Sequence, residues 1–250
     1  MTQPIIKIEN LTKCYDKVRA VQDLSLEVMA GKVFAFLGPN GAGKTTTIKV
    51  LTGLLRPTAG RALLGGFDIQ KEPEKAKRLI GYIPDHPYLY EKLSGREFFH
   101  FIGDLFEVPR SVQKTRFEEF FTLFGLTPAC DKLIQNYSHG MKQKLIMSVS
   151  LMHDPSIVIV DEPMVGLDPQ SALVVKRLFR ETARKGAAVF LSTHTLSVAE
   201  ELADQIGLIN RGQLIFNGSL DRMRDAAKIN GNLEELFLEL TGRDIVAPES

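Results

Sequence analysis

The chain has 250 residues, with 31 Lys and Arg against 30 Asp and Glu, so its formal net charge at pH 7 is +1. Hydrophobic residues make up 44% and charged residues 24%, values typical of a soluble globular protein with a full core. A charge so close to zero argues against a general nucleic-acid-binding protein, which usually carries a basic surplus. Two cysteines provide no disulfide framework, so we expect a reducing cytoplasm.

The sequence predicts no passage through a membrane. Its first residues, MTQPIIKIEN, lack the basic and apolar regions of a signal peptide. No apolar run approaches the roughly 18 residues that span a bilayer. We therefore expect a protein that neither crosses a membrane nor is secreted.

Strands are predicted near the N-terminus and again late in the chain. Residues 5–8 and 24–28 partly alternate between apolar and polar, a pattern typical of a half-exposed antiparallel sheet. Residues 33–37, 157–160 and 187–191 are continuous apolar runs, as in strands covered on both faces. The two late runs are each followed by polar residues and a helical pattern. This order predicts a parallel, doubly wound sheet.

Residues 90–153 read as helices inserted between these strands. Ser94 and Glu97 form a capping-box pattern at the start of an amphipathic helix. One arc of this helix is apolar: Phe98, Phe99, Phe101, Ile102, Leu105 and Phe106, opposite His100, Asp104 and Glu107. We expect most of the arc, including Phe98, Ile102 and Leu105, to be core. Phe99 and Phe106 at its edges are left as candidates for receiving a partner's helix.

The pattern continues with a second helix and, later, a hairpin. Phenylalanines recur at helical spacing before a Gly125 stop signal, at Phe117, Phe120, Phe121 and Phe124. Residues 206–209 and 213–216 flank Asn210-Arg211-Gly212, which predicts a hairpin. Near the end of the chain, Leu233, Leu236, Phe237 and Leu240 have helical spacing, and we expect this tail to pack on the body.

A glycine-rich segment follows the apolar run 33–37 and precedes a helix that we expect to begin near Lys44. It fits the pattern GxxxxGK[ST], whose glycines let backbone N–H groups converge on phosphate while the helix N-terminus adds a favourable dipole. Lys44 would neutralise the β- and γ-phosphates, and the Thr45 hydroxyl would bind magnesium. The predicted nucleotide-binding residues are Gly38, Pro39, Asn40, Gly41, Ala42, Gly43, Lys44, Thr45 and Thr46.

Two carboxylates, Asp161 and Glu162, end the apolar run 157–160. Because ligands of open α/β sheets bind at the carboxyl ends of the strands, both acids should point toward the phosphates. Asp161 is suited to hold magnesium through water. Glu162 is suited to orient or deprotonate the attacking water, a role worth about 10²–10⁴ in rate. Phosphate-binding loops of this kind occur in kinases, GTPases and transport ATPases, so other motifs must decide among these classes.

The remaining motifs give the chain its family resemblance. Residues 137–143 read YSHGMKQ, and Ser138 is in the N-cap position of a helix that we expect to run through Met152. With the loop and the acids in this order, the sequence resembles the ATP-binding subunits of ABC transporters over nearly the whole chain. The family signature is usually Leu-Ser-Gly-Gly-Gln. Ser138 and Gly140 are retained here, whereas His139 and Met141 depart from it.

The resemblance implies roles for three further residues. Residues 165–169 look like the family's D-loop, in which Asp168 also precedes a proline as an ordinary N-cap. His194 matches the switch histidine, which contacts the γ-phosphate in the family. Tyr15 resembles the aromatic that stacks on adenine, the alternative being an exposed sheet aromatic.

The clearest departure from the family is Asp85. The family usually has glutamine after Gly-Tyr-x-Pro, and here residues 81–84 are followed by aspartate, as in the branch that resembles drug, antibiotic or small-ion exporters. The resemblance implies that Asp85 reaches toward magnesium, in a loop that reports to a membrane subunit. Residues 236–242, LFLELTG, point to the same branch, which favours export over import.

The expected fold is α/β, a P-loop NTPase core of the RecA-like type with an antiparallel β subdomain and an inserted helical subdomain. We expect a single domain. Residues 1–84 would form the β subdomain and the phosphate-loop part of the core, residues 85–155 the helical subdomain, residues 156–218 the rest of the core, and residues 219–250 a helical tail.

The resemblance implies an ATPase that uses ATP and Mg²⁺ and acts as a homodimer. Ser138 and Gly140 of one chain would close over the ATP in the other chain's loop. The pair would power a separately encoded integral membrane permease at the cytoplasmic face of the cell membrane, without nucleic acid. Two alternatives stay open: a soluble ATPase of the same family with a non-transport partner, and a nucleotide sensor without turnover. The presence of both Glu162 and His194 argues against the sensor.

Overall fold

The computed structural model describes residues 3–222. Within this range the strands are β1 (Ile6–Tyr15), β2 (Val18–Val28), β3 (Val33–Leu37), β4 (Ala59–Leu64), β5 (Phe67–Asp68), β6 (Ile80–Ile83), β7 (Ile157–Asp161), β8 (Ala188–Thr193), β9 (Gln205–Asn210) and β10 (Gln213–Gly218). The helices are α1 (Lys44–Leu51), α2 (Pro73–Arg78), α3 (Gly95–Leu105), α4 (Arg110–Leu123), α5 (His139–Leu151), α6 (Pro169–Arg184) and α7 (Leu196–Leu202), with 3₁₀ turns at Thr127–Ala129 and Ile134–Asn136.

The strands form two sheets. A four-stranded antiparallel sheet has the order β2-β1-β4-β5, and a six-stranded sheet has the order β10-β9-β3-β8-β7-β6. Neighbouring strands from β9 to β6 run parallel, while β10 returns antiparallel beside β9. The predicted α/β class, with a parallel core sheet and a separate antiparallel sheet, is confirmed.

Both faces of the six-stranded sheet are covered, because its continuous apolar strands send alternate side chains to opposite sides. Val33, Ala35 and Leu37 of β3 pack toward helices α3 to α7. Phe34 and Phe36 pack toward α1, α2 and the antiparallel sheet. The parallel strands are therefore held from two sides, which fixes the edge where they end.

The predicted start and stop signals of the helical region are confirmed. Ser94 Oγ accepts the Glu97 N–H at 3.2 Å, and the Glu97 carboxylate accepts the Ser94 N–H at 2.7 Å, a complete capping box. The four phenylalanines at helical spacing around α4 are buried. Gly125 ends that helix with a φ of +66°, a left-handed conformation that favours glycine.

The predicted orientation of α3 is wrong at both ends of its apolar arc. Phe99, expected at an edge, is fully buried, whereas Leu105, expected in the core, is 68% exposed. The physical reason is Gln113 of α4, a buried amide that packs on Gly103 and hydrogen-bonds to the ring of His100 at 2.8 Å. This contact turns the Phe99 face toward α4 and leaves the Leu105 side outside.

The predicted hairpin near the end of the described range is confirmed. β9 and β10 pair across a turn in which Arg211 and Gly212 adopt φ values of +48° and +81°. The tail residues Leu233, Leu236, Phe237 and Leu240 lie outside the described residues, and the subdomain boundaries remain predictions. Between residues 3 and 222, no helix has the length and apolar character needed to cross a bilayer.

Candidate nucleotide site

Four neighbouring parallel strands end at one edge of the six-stranded sheet. Their last residues are joined by the pairs Ile83–Val160, Asp161–Ser192 and Leu37–Thr193. The segments that continue from β6, β7 and β8 carry Asp85, Glu162 and His194, and the glycine-rich loop continues from β3. Residues distant in sequence therefore meet at the edge where ligands of such sheets bind.

The glycine-rich loop is held between β9 and the β1–β2 hairpin. A Cβ at Gly38 would lie 2.4 Å from the Ile209 carbonyl oxygen, and a Cβ at Gly43 would lie 2.5 Å from that of Ala20. Gly43 also has a φ of +110°, so these two positions accept only glycine. α1 then begins at Lys44 with no acidic residue in its first turn, which leaves its N-terminal N–H groups suited to an anion.

Most of the other residues of the glycine-rich loop are accessible to solvent. Pro39, Asn40, Gly41 and Thr45 are exposed, Thr46 is half-buried, and Ala42 is buried with its N–H donated to the Pro39 carbonyl at 3.1 Å. The loop thus combines a buried base with an accessible rim.

The Lys44 ammonium lies inside the loop. Its Nζ donates to the carbonyl oxygens of Gly38 at 2.7 Å and Pro39 at 3.3 Å. Burial lowers the pKa of Lys44, and the negative charges of Glu162 and Asp161 oppose that shift. The structure therefore brings the predicted lysine and both predicted acids into one electrostatic environment.

The two acids are held by consecutive residues at the end of β8. Ser192 Oγ donates to the Asp161 carboxylate, and Thr193 Oγ1 donates to Glu162 Oε2 at 3.3 Å. His194 Nδ1 lies 2.8 Å from Glu162 Oε1. Glu162 itself has a φ of +50°, a sparsely populated conformation for a residue with a side chain.

Sequence reasoning singled out His194 in this run but missed Ser192 and Thr193 as partners of the acids. A signal was present, since two hydroxyl residues end an otherwise apolar buried strand. Their partners could not be named, because the register between β7 and β8 is a property of the folded sheet.

The signature segment packs against the D-loop of the same chain. Ser138 Oγ accepts the Met141 N–H at 3.3 Å as the predicted N-cap of α5, and Asp168 caps α6 through the Ser171 N–H at 2.9 Å. Hydrogen bonds from Ser171 lower the pKa of Asp168 to about 2. The His139 ring covers Gly166, where a Cβ would lie 2.1 Å from the ring.

Ser138 and Gly140 are not joined to the phosphate loop of their own chain. No hydrogen bond or ion pair found in the described residues 3–222 connects either residue to the segment around Lys44. Within residues 3–222, no such contact directs the signature toward the phosphate loop of its own chain.

Tyr15 and Asp85 come from different sheets, since β1 belongs to the antiparallel sheet and Asp85 follows β6 of the six-stranded sheet. Tyr15 ends β1, is 45% exposed and pairs with Val18 of β2, the strand that contacts the phosphate loop. Its ring accepts a cation–π contact from Lys13 at 5.1 Å. Asp85 is half-buried, and its carboxylate lies 2.9 Å from His86 Nδ1 rather than against Lys44 or Asp161.

The donor set suits magnesium held partly by phosphate oxygens. Asp161 is a buried carboxylate beside Lys44, and Thr45 offers an exposed hydroxyl at the start of α1. No group of three His, Cys, Asp or Glu side chains within residues 3–222 could hold a metal by itself. Mg²⁺ is usually bound by one or two protein oxygens together with substrate phosphates, so these two residues fit the ion.

The sequence of this chain is similar to that of known proteins. The sequence model of the family described as ABC transporter matches residues 21–165. An uncharacterised ABC transporter ATP-binding protein from Nostoc sp. (strain PCC 7120) is 38% identical over 231 residues, covering 89% of this chain and 68% of that protein.

A second relative and a solved structure show the same similarity to ATP-binding proteins. The daunorubicin/doxorubicin resistance ATP-binding protein of Streptomyces peucetius is 38% identical over 231 residues, covering 92% of this chain and 70% of that protein. A solved ATP-binding subunit of an ABC transporter superposes with a TM-score of 0.92 at 31% identity, covering 95% of this chain and all of that one.

Proposed function

This chain belongs to the ATP-binding subunits of ABC transporters, and we propose that it hydrolyses ATP at a homodimer interface to power export through a separate membrane permease. The observation that carries the proposal is the meeting of Lys44, Asp161, Glu162 and His194 at one edge of a parallel sheet. A resistance relative at 38% identity supports export as the direction.

Each residue at this edge of the sheet has a separate role in binding or hydrolysis. Lys44 and the N–H groups of α1 bind the β- and γ-phosphates, and the exposed ring of Tyr15 stacks on adenine. Thr45 and Asp161 hold Mg²⁺, which when bound neutralises phosphate charge. Glu162 accepts a proton from the attacking water. His194, which contacts Glu162 Oε1 at 2.8 Å, orients that carboxylate and reaches the γ-phosphate.

The separation of the signature from the phosphate loop supports the homodimer. Ser138 is an exposed N-cap of α5, and this helix N-terminus offers a second anion site that no hydrogen bond or ion pair within residues 3–222 joins to the chain's own phosphate loop. In a two-fold pair, Ser138 and Gly140 of each protomer close over the nucleotide bound by the other. The membrane association of the chain is then indirect, through the permease at the cytoplasmic face.

We propose that the permease contacts the exposed side of α3 and not Phe99. Phe101 is 44% exposed and packs edge-on against Tyr90 at 5.5 Å, and the exposed Leu105 lies about one turn further along α3. A groove of about 300 Å³, lined by Phe106, Ile102, His153 and Tyr82, adjoins this patch and the Asp85 loop. A membrane subunit with an apolar helix fits such a surface.

The experiment compares membrane cofractionation and ATP turnover in the native host. Wild-type protein should sediment with membranes when its permease is present and turn over ATP when purified. Phe101→Ser should lose sedimentation while keeping turnover. Turnover by a protein that stays in the supernatant when its permease is present would support the soluble-ATPase alternative, and absence of turnover would support the sensor.

A further inference from the structure

We propose that Thr193 is a positioning residue whose hydroxyl fixes the Glu162 carboxylate for hydrolysis. Thr193 is the last residue of β8 and is 2% exposed. Thr193 is not one of the proposed nucleotide-binding residues. The inference rests on the proposed role of Glu162 as the group that acts on water.

The hydroxyl of Thr193 has defined partners on both sides. Its oxygen accepts the Thr195 N–H at 3.0 Å, and it lies 3.3 Å from Glu162 Oε2. A threonine hydroxyl has one hydrogen to donate and two lone pairs. Since the backbone N–H occupies a lone pair, the single hydrogen is directed to the carboxylate.

Glu162 needs such a restraint because the hydrogen bonds of its backbone do not set the direction of its carboxylate. Its φ of +50° places the side chain outside the regular direction of β7, and its N–H is held by the Ser192 carbonyl at 3.2 Å. His194 Nδ1 contacts only one carboxylate oxygen, Oε1. Thr193 contacts the other, so the two residues together fix the plane of the carboxylate.

This arrangement also links Glu162 to the turn that begins α7. Thr195 is the N-cap residue of α7, and its N–H is bound to the Thr193 hydroxyl. The hydroxyl therefore joins the end of β7, the end of β8 and the turn that carries His194. Removing it should leave nucleotide binding intact and misplace the carboxylate, which lowers the rate of the chemical step.

The test uses three substitutions in the full-length protein, with kcat and KM for MgATP and calorimetric ATP affinity as readouts. Thr193→Val keeps the shape and removes the hydroxyl, and Thr193→Ala also removes the methyl group. Both should lower kcat about tenfold, with KM and affinity within about twofold. Thr193→Ser retains the hydroxyl and should keep kcat within about twofold of wild type.

Ser148→Ala provides the matched control, because that buried hydroxyl donates to the Lys144 carbonyl at 2.8 Å within α5, among residues with no assigned role in hydrolysis. Its kcat should equal that of wild type. The proposal is overturned if Thr193→Val keeps wild-type kcat, or if the serine and alanine variants are equally slow, since methyl packing would then explain the loss.

Glu162→Gln separates this failure from that of the proposed function. If the wild type turns over ATP and Glu162→Gln does so at the same rate, Glu162 is not the group that acts on water and both assignments fall. If Glu162→Gln is inactive and Thr193→Val is fully active, the Thr193 inference alone is wrong.

Discussion

At the scale of single residues, Lys44 is the group on which burial and neighbouring negative charges act in opposite directions. Its ammonium is buried among loop carbonyls and two carboxylates, and burial alone lowers its pKa. In the proposed site, the β- and γ-phosphates of a bound nucleotide would supply the negative charge that favours the protonated form of Lys44.

Lys44→Ala should therefore weaken ATP binding at least tenfold, ~1.4 kcal/mol or more, and abolish turnover. Calorimetric titration with MgATP measures the first effect. Lys49→Ala is the matched control, since Lys49 is exposed near the other end of the same helix and should bind ATP normally. Equal affinity in wild type and Lys44→Ala would contradict the proposed phosphate contact.

Asp85 differs from the other acids because its carboxylate turns toward His86. Asp85→Gln should retain hydrolysis by the isolated subunit within about tenfold, or ~1.4 kcal/mol in the barrier, and act mainly on stimulation by the permease. Steady-state turnover with and without the permease measures both. Elimination of basal hydrolysis by Asp85→Gln or Asp85→Asn would make Asp85 a catalytic group.

Which residues could be predicted from the sequence depended on whether their partners are local. The phosphate loop is one contiguous segment, and Glu162 directly follows a buried strand, so sequence order alone indicated their positions. Asp161 and Glu162 find their partners on β8 only through the register between two strands. Gln143 of α5 finds its partner only through packing of that helix. Gln143 is fully buried on α5, where its Nε2 donates to the Pro84 carbonyl at 3.4 Å, directly before Asp85.

At the scale of elements, α3 shows why a helix's orientation is harder to predict than its existence. Its existence and N-cap were predicted correctly, but the buried face was not, because periodicity ranks side chains only by polarity. Gln113 is polar and fully buried, because its amide is satisfied by Asp104, the Val108 carbonyl and the ring of His100. A satisfied amide can occupy a core position, and this one decided which face of α3 turns inward.

Phe99→Ser should consequently unfold the protein more easily, whereas Phe101→Ser should not. Phe99 is fully buried against Phe117 and Phe121, and truncating a buried phenylalanine costs about 3–5 kcal/mol. Phe101 is partly exposed, and its loss should cost about 1 kcal/mol. Urea unfolding followed by circular dichroism compares the two. Equal destabilisation would mean that the exposed side of α3 is structural, and the docking surface would lose its basis.

At the scale of the whole molecule, one chain contains every part of the proposed site, but in two places. The phosphate loop and the acids lie at the ends of the parallel strands, and the signature segment packs on its own D-loop through His139 and the ion pair of Lys144 with Asp168 at 3.7 Å. These contacts orient Ser138 as an exposed N-cap. In the proposed homodimer, a second copy related by two-fold symmetry would supply the other half of each site.

Glu162→Gln should convert this geometry into a measurable dimer. The amide retains the shape of the side chain but accepts no proton from water, so ATP binds and persists, and the interface stays closed. Light scattering at saturating ATP and magnesium should give twice the monomer mass, and the mass should return to that of the monomer when nucleotide is removed. A monomer under these conditions would exclude the homodimer.

The same background tests whether the signature segment forms the interface. Ser138→Asp keeps a good N-cap for α5, so the helix should stay folded, but it places a negative charge where the partner's ATP phosphates should lie. Glu162→Gln combined with Ser138→Asp should therefore remain monomeric at saturating ATP while each chain still binds nucleotide through its own loop. If the doubly substituted protein dimerises as well as Glu162→Gln alone, the signature segment does not face the bound phosphates, and the dimer must form through another surface.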